Sequence, residues 1–335
     1  MIIPFFIPHA GCVHRCVFCD QKRITGTAVA PDPKDIPVVI ESYLASRPSR
    51  KPAEVAFFGG SFTALPDRVQ EAYLAPVRPF RASGSISSIR ISTRPDCIDP
   101  HILALLKNHD VSTVELGVQS MDDGVLAASG RGHASGDTIT AVARLRSAGF
   151  RVGCQLMPGL PGDSPDCFRK TVATTISLAP DLVRLYPALV LKGTPLEILY
   201  RRGEYLPLSL DEAVTWCASA VVAFEQAGIQ VARVGLQAGE SLADPGAVAA
   251  GPWHPAFGQL VRSTIMLERM RAALTVRDVR NPVLAVHPRD LASTVGQHRR
   301  NIQELVEEFR LDGLRVIADS DLAQGTVRFI GCAGD

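Results

Sequence analysis

The chain has 335 residues, 35 Lys and Arg against 34 Asp and Glu, and a formal net charge of +1. With 46% hydrophobic and 21% charged residues it is neither disordered, collagen-like nor a disulfide knot. At about 150 residues per domain it can build a large barrel plus an appendix, and its neutrality excludes a uniformly basic nucleic-acid clamp but not a local basic patch.

In chain order, short apolar runs predict strands over Ile2–Pro8, Glu54–Phe58, Ile86–Ser92, Thr113–Val118, Arg151–Met157, Leu182–Tyr186 and Gln230–Val234. Between them, amphipathic helices are predicted over Ile36–Ala45, Asp67–Pro76, Ile102–Asn108, Ser135–Ala148 and Pro165–Ala179. Apolar strands alternating with helices are the pattern of a parallel α/β sheet, and six or seven units favour a barrel-like sheet over a doubly wound one. From Leu236 to Pro255 the chain is rich in Gly, Ala, Asp and Pro and reads as a connection. A helix (Ala256–Leu274), a strand (Val283–His287), a helix (Asp290–Phe309) and two strands (Leu314–Ala318, Thr326–Ile330) follow. The expected domains are therefore a barrel over 1–235, a linker over 236–256 and a small α+β domain over 257–335. No run of 18 apolar residues predicts a membrane span, and the opening residues do not form a cleavable leader. A cytoplasmic, reducing location is expected, where clustered cysteines hold metal more often than they form disulfides.

Directly after the first strand stands Cys12-Val13-His14-Arg15-Cys16-Val17-Phe18-Cys19. Three thiolates on one loop cannot close a tetrahedral zinc site without a fourth ligand, for which His9 or His14 is the candidate. They suit a [4Fe–4S] cluster with one iron left open. Both readings stand on spacing alone. Of the remaining cysteines, Cys154 lies in a predicted buried strand and reads as core, while Cys97, Cys167, Cys217 and Cys332 lack partner spacing.

The triplet, with Phe18 just before its last cysteine, resembles the signature of the radical S-adenosylmethionine superfamily. The resemblance implies a partial (βα)6 barrel in which Cys12, Cys16 and Cys19 hold a [4Fe–4S] cluster. S-adenosylmethionine chelates its open iron and is reductively cleaved to a 5′-deoxyadenosyl radical. It also implies cofactor contacts. Phe18 lies beside the adenine, while Gly59, Gly60 and Ser61 receive the methionine amino group. Thr93 and Arg94 lie near the ribose, Gln119 and Arg131 near ribose and carboxylate, and Pro158 in a loop over the adenine. All fall at the C-terminal ends of predicted strands, where barrel active sites gather. Tyr186 and Lys192 follow the sixth strand and read either as substrate or cofactor contacts or as packing.

Gly59-Gly60-Ser61-Phe62-Thr63-Ala64-Leu65-Pro66, Thr93-Arg94-Pro95-Asp96, Glu115-Leu116-Gly117-Val118-Gln119-Ser120 and the run from Arg184 to Thr194 look most like the radical domain of the Elongator catalytic subunit. They also resemble the group that includes oxygen-independent coproporphyrinogen oxidase. The chain departs from the Elongator pattern in its x3 gap between the first two cysteines, in Ser92 where relatives carry Glu, and in having nothing like an acetyl-CoA site after the barrel. These departures set it apart from the complete Elongator reaction.

Near the C-terminus, Val286 to Leu305 followed by Leu314–Ala318 resembles a KH RNA-binding core whose Gly-x-x-Gly loop is degenerate, running Gly296-Gln297-His298-Arg299. Residues 262–300 hold 8 Arg against 3 acids, net +5, and 301–335 hold 3 Arg against 7 acids, net −4. Gly296, Arg299 and Arg300 are therefore candidate RNA contacts; the bland reading is a plain α+β cap. The resemblances together imply a radical enzyme modifying a nucleotide in transfer or ribosomal RNA, with flavodoxin or ferredoxin as electron donor. The alternatives are a small porphyrin-like or coenzyme substrate for the same chemistry, and a non-catalytic zinc protein.

Overall fold

Runs such as Ala53–Phe58 and Ile86–Thr93 bury successive side chains on both faces, which only a sheet covered by helices on one side and closed towards an interior on the other provides. The computed structural model describes residues 1–27, 29–46, 51–236, 242, 244, 246–275 and 279–332. In it, β1 (Ile2–Phe6), β2 (Ala53–Phe58), β3 (Ile86–Thr93), β4 (Val111–Gln119), β5 (Arg151–Leu156), β6 (Leu182–Leu185) and β8 (Gln230–Val234) form one seven-stranded sheet in that order. Every adjacent pair is parallel, while β1 and β8 remain edges, so the barrel is partial. The expected α/β partial barrel is what the chain builds, with a seventh strand added to the six of the resemblance.

Side chains alternate across a strand with period two. Ile89, Ile91, Val114, Leu116, Val183 and Leu185 are buried with no exposed surface. The positions between them carry Arg90, Ser92, Glu115, Gly117, Gln155, Arg184 and, just past β6, Tyr186, and these line the interior cavity. Cys154 is 1% exposed in β5, the core residue that its setting implied. The sequence left unassigned the two-residue β7 (Val190–Leu191), which pairs antiparallel with β9 (Val248–Ala250), and the helices Pro195–Arg201 and Leu210–Gln226.

The chain divides into two compact units, one of residues 1–209 and 223–253, the other of 210–222 and 254–335. Part of the connection read over 236–256 (residues 237–241, 243 and 245) lies outside the described residues. In the second unit β10 (Pro282–Val286) pairs in parallel with β11 (Arg315–Ala318) and antiparallel with β12 (Val327–Cys332). Its core is apolar, with Met270, Leu274, Leu284 and Leu305 having no exposed surface. The helix expected over Asp290–Phe309 is broken into Leu291–Val295 and Arg300–Glu308. Between them Gly296, His298 and Arg299 take positive φ values of 75°, 51° and 63°, which ends a right-handed helix. Buried Asn301 fixes the break by donating its amide to the carbonyls of Ser263 (3.0 Å) and Ser293 (3.1 Å).

Candidate functional site

The loop after β1 is held at several points. Gln21 opens a short helix capped by Asp20, and its Oε1 accepts from the amides of His9 (2.6 Å) and Gly60 (2.7 Å). The Gln21 amide in turn donates to His9 Nε2 at 3.0 Å. The Ser61 amide donates to the Ala10 carbonyl (2.8 Å), Val17 to Ser129 (3.0 Å) and Leu196 to Val17 (2.9 Å). The cysteine loop is thus pinned to the glycine turn after β2 on one side and to the loops after β4 and β7 on the other.

Cys12, Cys16 and Cys19 all line one cavity of about 1570 Å³ in the first unit, together with Phe18, Gly59, Gly60, Thr93, Arg94, Gln119 and Arg131. Ten of the expected site residues are therefore brought together. Ser61 and Pro158 are buried without lining it, and Gly296, Arg299 and Arg300 belong to the second unit. The cavity exceeds the range of about 300–1,000 Å³ usual for one small ligand, so it has room for a cofactor and a substrate.

The donor set fits an iron–sulfur cluster with S-adenosylmethionine better than a single ion. His9, a candidate fourth zinc ligand, has its Nε2 engaged by Gln21, and the ring of His14 packs over Gly132. Burial, followed by repulsion from Cys16 and Cys12, pushes the Cys19 thiol up to about 12. Arg131 donates to Cys16 Sγ at 3.3 Å and to the Gly117 carbonyl, which places a cation beside the thiolates.

Backbone approach is built in at Gly60. With φ of 61°, a Cβ there would collide with the Ala10 carbonyl oxygen and stand 2.8 Å from that of Ile7. Arg131 Nε is buried without a partner among the described residues, the kind of orphan that a bound polar ligand satisfies. Phe18, 8% exposed, packs with Val125, Leu160, Leu196 and Tyr205, leaving its ring between that cluster and the cavity. Arg94 gives its fork to Asp96 (2.9 and 2.8 Å) and its remaining nitrogen to the Arg131 carbonyl (2.6 Å). It therefore orders the Arg131 loop besides facing the cavity. Thr93 Oγ1 is committed to Thr63 Oγ1 at 2.7 Å. Gln119 ends β4 at a positive φ of 69° and accepts from Gln155 Nε2 at 3.2 Å. The loop carrying Pro158 is closed by Asp163, which accepts from the Gly159 and Ser164 amides at 2.9 Å. Burial raises the Asp163 carboxyl to about 6.

Sequence reasoning missed three groups. Gln21 acts through backbone contacts that carry no motif, and Thr63, quoted only as part of the Gly59–Pro66 run, through its hydroxyl. His133 is 7% exposed with neither ring nitrogen bonded among the described residues, and burial, then Arg131 and Arg94, lower it to about 4. The third group is a chain of charges through the barrel interior. Arg90 pairs with Glu54 (2.9 Å) and with Glu115; Arg184 grips Glu115 through Nε (2.7 Å) and Nη2 (3.1 Å) and donates Nη1 to the Tyr186 hydroxyl (3.3 Å). Its signal was legible: polar residues at alternate positions of otherwise apolar strands.

Comparison with known proteins agrees with this geometry. The model of the radical SAM superfamily matches residues 6–174, and that of a radical SAM C-terminal domain matches 180–266. A tRNA uridine(34) acetyltransferase of Methanocaldococcus infernus is 41% identical over 128 residues, 37% of this chain and 24% of that protein. The heme chaperone HemW of Bacillus subtilis is 26% identical over 207 residues, covering 60% of this chain and 55% of its own. The solved structure of the M. infernus Elp3 lacking residues 1–46 superposes with a TM-score of 0.64 at 23% identity, covering 80% of this chain and 62% of its own. The chain spans about a quarter of the length of the tRNA uridine(34) acetyltransferases that it matches. No helix among the described residues is long and apolar enough to cross a membrane.

Proposed function

Because this chain belongs to the radical SAM superfamily, we propose that it is an enzyme that modifies a nucleotide of transfer RNA by hydrogen-atom abstraction. The observation that carries the reading is the convergence of Cys12, Cys16, Cys19, Gly60 and Arg131 on a cavity with space beyond the cofactor's needs. When bound and reduced, a [4Fe–4S] cluster with S-adenosylmethionine supplies the one-electron cleavage that generates the abstracting 5′-deoxyadenosyl radical.

The chain's own residues hold, orient and exclude. Cys12, Cys16 and Cys19 hold the cluster. Gly60 lets the turn after β2 close against the backbone of the cysteine loop, and Arg131, fixed by Arg94 and the Gly117 carbonyl, supplies a planar cation for the methionine end. Phe18 and the loop that Asp163 closes shield the adenine side from water. Transfer RNA as substrate is supported by the identity to tRNA uridine(34) acetyltransferases. It is supported too by the +5 segment of 262–300, whose Arg299 and Arg300 are exposed in the strained break after Gly296 and offer phosphate contacts. A flavodoxin or ferredoxin fits as electron source, and a cytoplasmic location follows from the substrate.

Mass spectrometry of nucleosides from total tRNA of cells with and without the gene tests this. We expect one modified nucleoside to disappear on deletion and to return with the wild-type gene but not with Cys16→Ala. Unchanged tRNA, with an accumulating small molecule instead, contradicts the RNA reading and favours a small-molecule substrate.

A further inference from the structure

Two loops meet at the cavity wall, the cysteine loop after β1 and the glycine turn after β2, and each needs a bare Cα where they touch. A Cβ on Gly11 would strike the Ser61 carbonyl oxygen, and a Cβ on Gly60 the Ala10 carbonyl oxygen. Contact this close limits how far the loops can approach but does not hold them together. One hold is internal to the pair, the bond from the Ser61 amide to the Ala10 carbonyl at 2.8 Å. The other comes from outside both loops, from the side chain of Gln21.

Gln21 Oε1 accepts from the Gly60 amide at 2.7 Å and from the His9 amide at 2.6 Å, which uses both lone pairs of the carbonyl oxygen. Both neighbours are donors, and that fixes the oxygen of the side-chain amide at this place, not the nitrogen. The backbone amide of Gln21 returns a bond to His9 Nε2 at 3.0 Å, a reciprocal pair like that of a capping box. His9 needs the support, because its φ of 56° is a left-handed conformation uncommon outside glycine. The backbone of Gln21 is itself fixed, two positions after Cys19, at the start of the short helix that Asp20 caps. The side-chain nitrogen of Gln21 has no partner among the described residues, so the oxygen alone engages the two loops.

Gln21, Gly59, Gly60, Cys12 and Cys19 line the same cavity. A ligand that reaches the open iron of the cluster from this cavity meets walls contributed by both loops, so the spacing between the loops sets its fit. We propose that Gln21 is a positioning residue for S-adenosylmethionine. Its Oε1 fixes the glycine turn against the cysteine loop, and cofactor affinity depends on that oxygen. Retention of the cluster, which the three thiolates supply, does not. The proposal rests on the cofactor reading above and is independent of which substrate the enzyme takes.

The test compares two variants in the full chain. Gln21→Met keeps length and volume without the acceptor pair, and Gln21→Glu keeps the acceptor while removing the side-chain amide hydrogens. Before any cofactor is added, hydrogen exchange at the Gly60 amide is expected to be severalfold faster in Gln21→Met and to return towards the wild-type rate in Gln21→Glu. After anaerobic reconstitution, Gln21→Met is expected to hold as much iron and sulfide as wild type. It is expected to bind S-adenosylmethionine about tenfold more weakly by calorimetry, and Gln21→Glu to recover most of that affinity. Wild-type affinity in Gln21→Met overturns the proposal. Equal weakening in both variants overturns it too, because the nitrogen would then touch the ligand directly. Loss of iron from Gln21→Met overturns it by making the oxygen a support of the cluster instead. Failure of the cofactor reading looks different: the wild-type chain would itself hold the cluster and bind no S-adenosylmethionine, and this proposal would fall with it.

Discussion

The interiors of the two units follow opposite plans. The second unit closes on Leu267, Met270, Leu274, Leu284, Ile302 and Leu305, with Asn301 as a buried polar group whose amide hydrogens are fully bonded. The first surrounds an open cavity with paired charges, unpaired donors and free thiols. Apolar burial yields about 25 cal/mol per Å², whereas a buried ion pair roughly breaks even. The contrast separates a region selected for cohesion from one that keeps costly groups because a ligand completes them.

That contrast can be broken at several points. The largest expected effect is on Glu115→Ala, which strands Arg90 and Arg184 without their shared anion and should cost about 3–5 kcal/mol in urea unfolding. Replacing Glu54, Arg90, Glu115 and Arg184 together by Leu, Met, Leu and Met, which leaves no member of the chain unpaired, should recover most of that loss; if it does not, the charge chain contributes to stability after all. Leu305→Ala in the second unit should cost about 2–5 kcal/mol by cavity formation and leave S-adenosylmethionine affinity unchanged by calorimetry. Gly60→Ala should weaken that affinity by about tenfold, roughly 1.4 kcal/mol, since the methyl meets the Ala10 carbonyl.

A smaller effect concerns acid. His133, lowered to about 4 from an ordinary 6.5, is neutral when folded, and the unfolded chain takes up its proton first as pH falls. Its contribution is therefore present above about 6.5 and is lost as pH falls towards 4. Urea midpoints at pH 7.5 and 4.5 should differ less in His133→Asn than in the wild type. Smallest is Arg299→Ala, an exposed position. It should leave stability within about 0.5 kcal/mol while lowering tRNA affinity severalfold in filter binding; unchanged binding would remove the loop from the RNA surface.

Much of the first unit was legible because its signals are local and periodic. The boundaries of β8 coincide with the predicted strand, and the cysteine loop, Gly60 and Arg131 line one cavity. Arg94 was read as a ribose contact, but its fork is taken by Asp96 two residues on, a local pairing that motif position does not reveal. The single helix read over Asp290–Phe309 is interrupted where the KH resemblance places its loop, because Gly296, His298 and Arg299 adopt positive φ, with Asn301 bonded to Ser263, 38 residues away. The polar residues at alternate strand positions were legible, but their pairing was not, since Glu115 and Arg184 lie 69 positions apart and only strand order makes them neighbours.

The most direct test is anaerobic reconstitution of the full chain with iron and sulfide, followed by mass spectrometry of 5′-deoxyadenosine with and without total tRNA. Wild type should release it from S-adenosylmethionine under a strong reductant, faster when tRNA is present, and Cys16→Ala should release none. A chain that takes up zinc instead of an iron–sulfur cluster, or that yields no 5′-deoxyadenosine under either condition, would contradict the cavity's assignment.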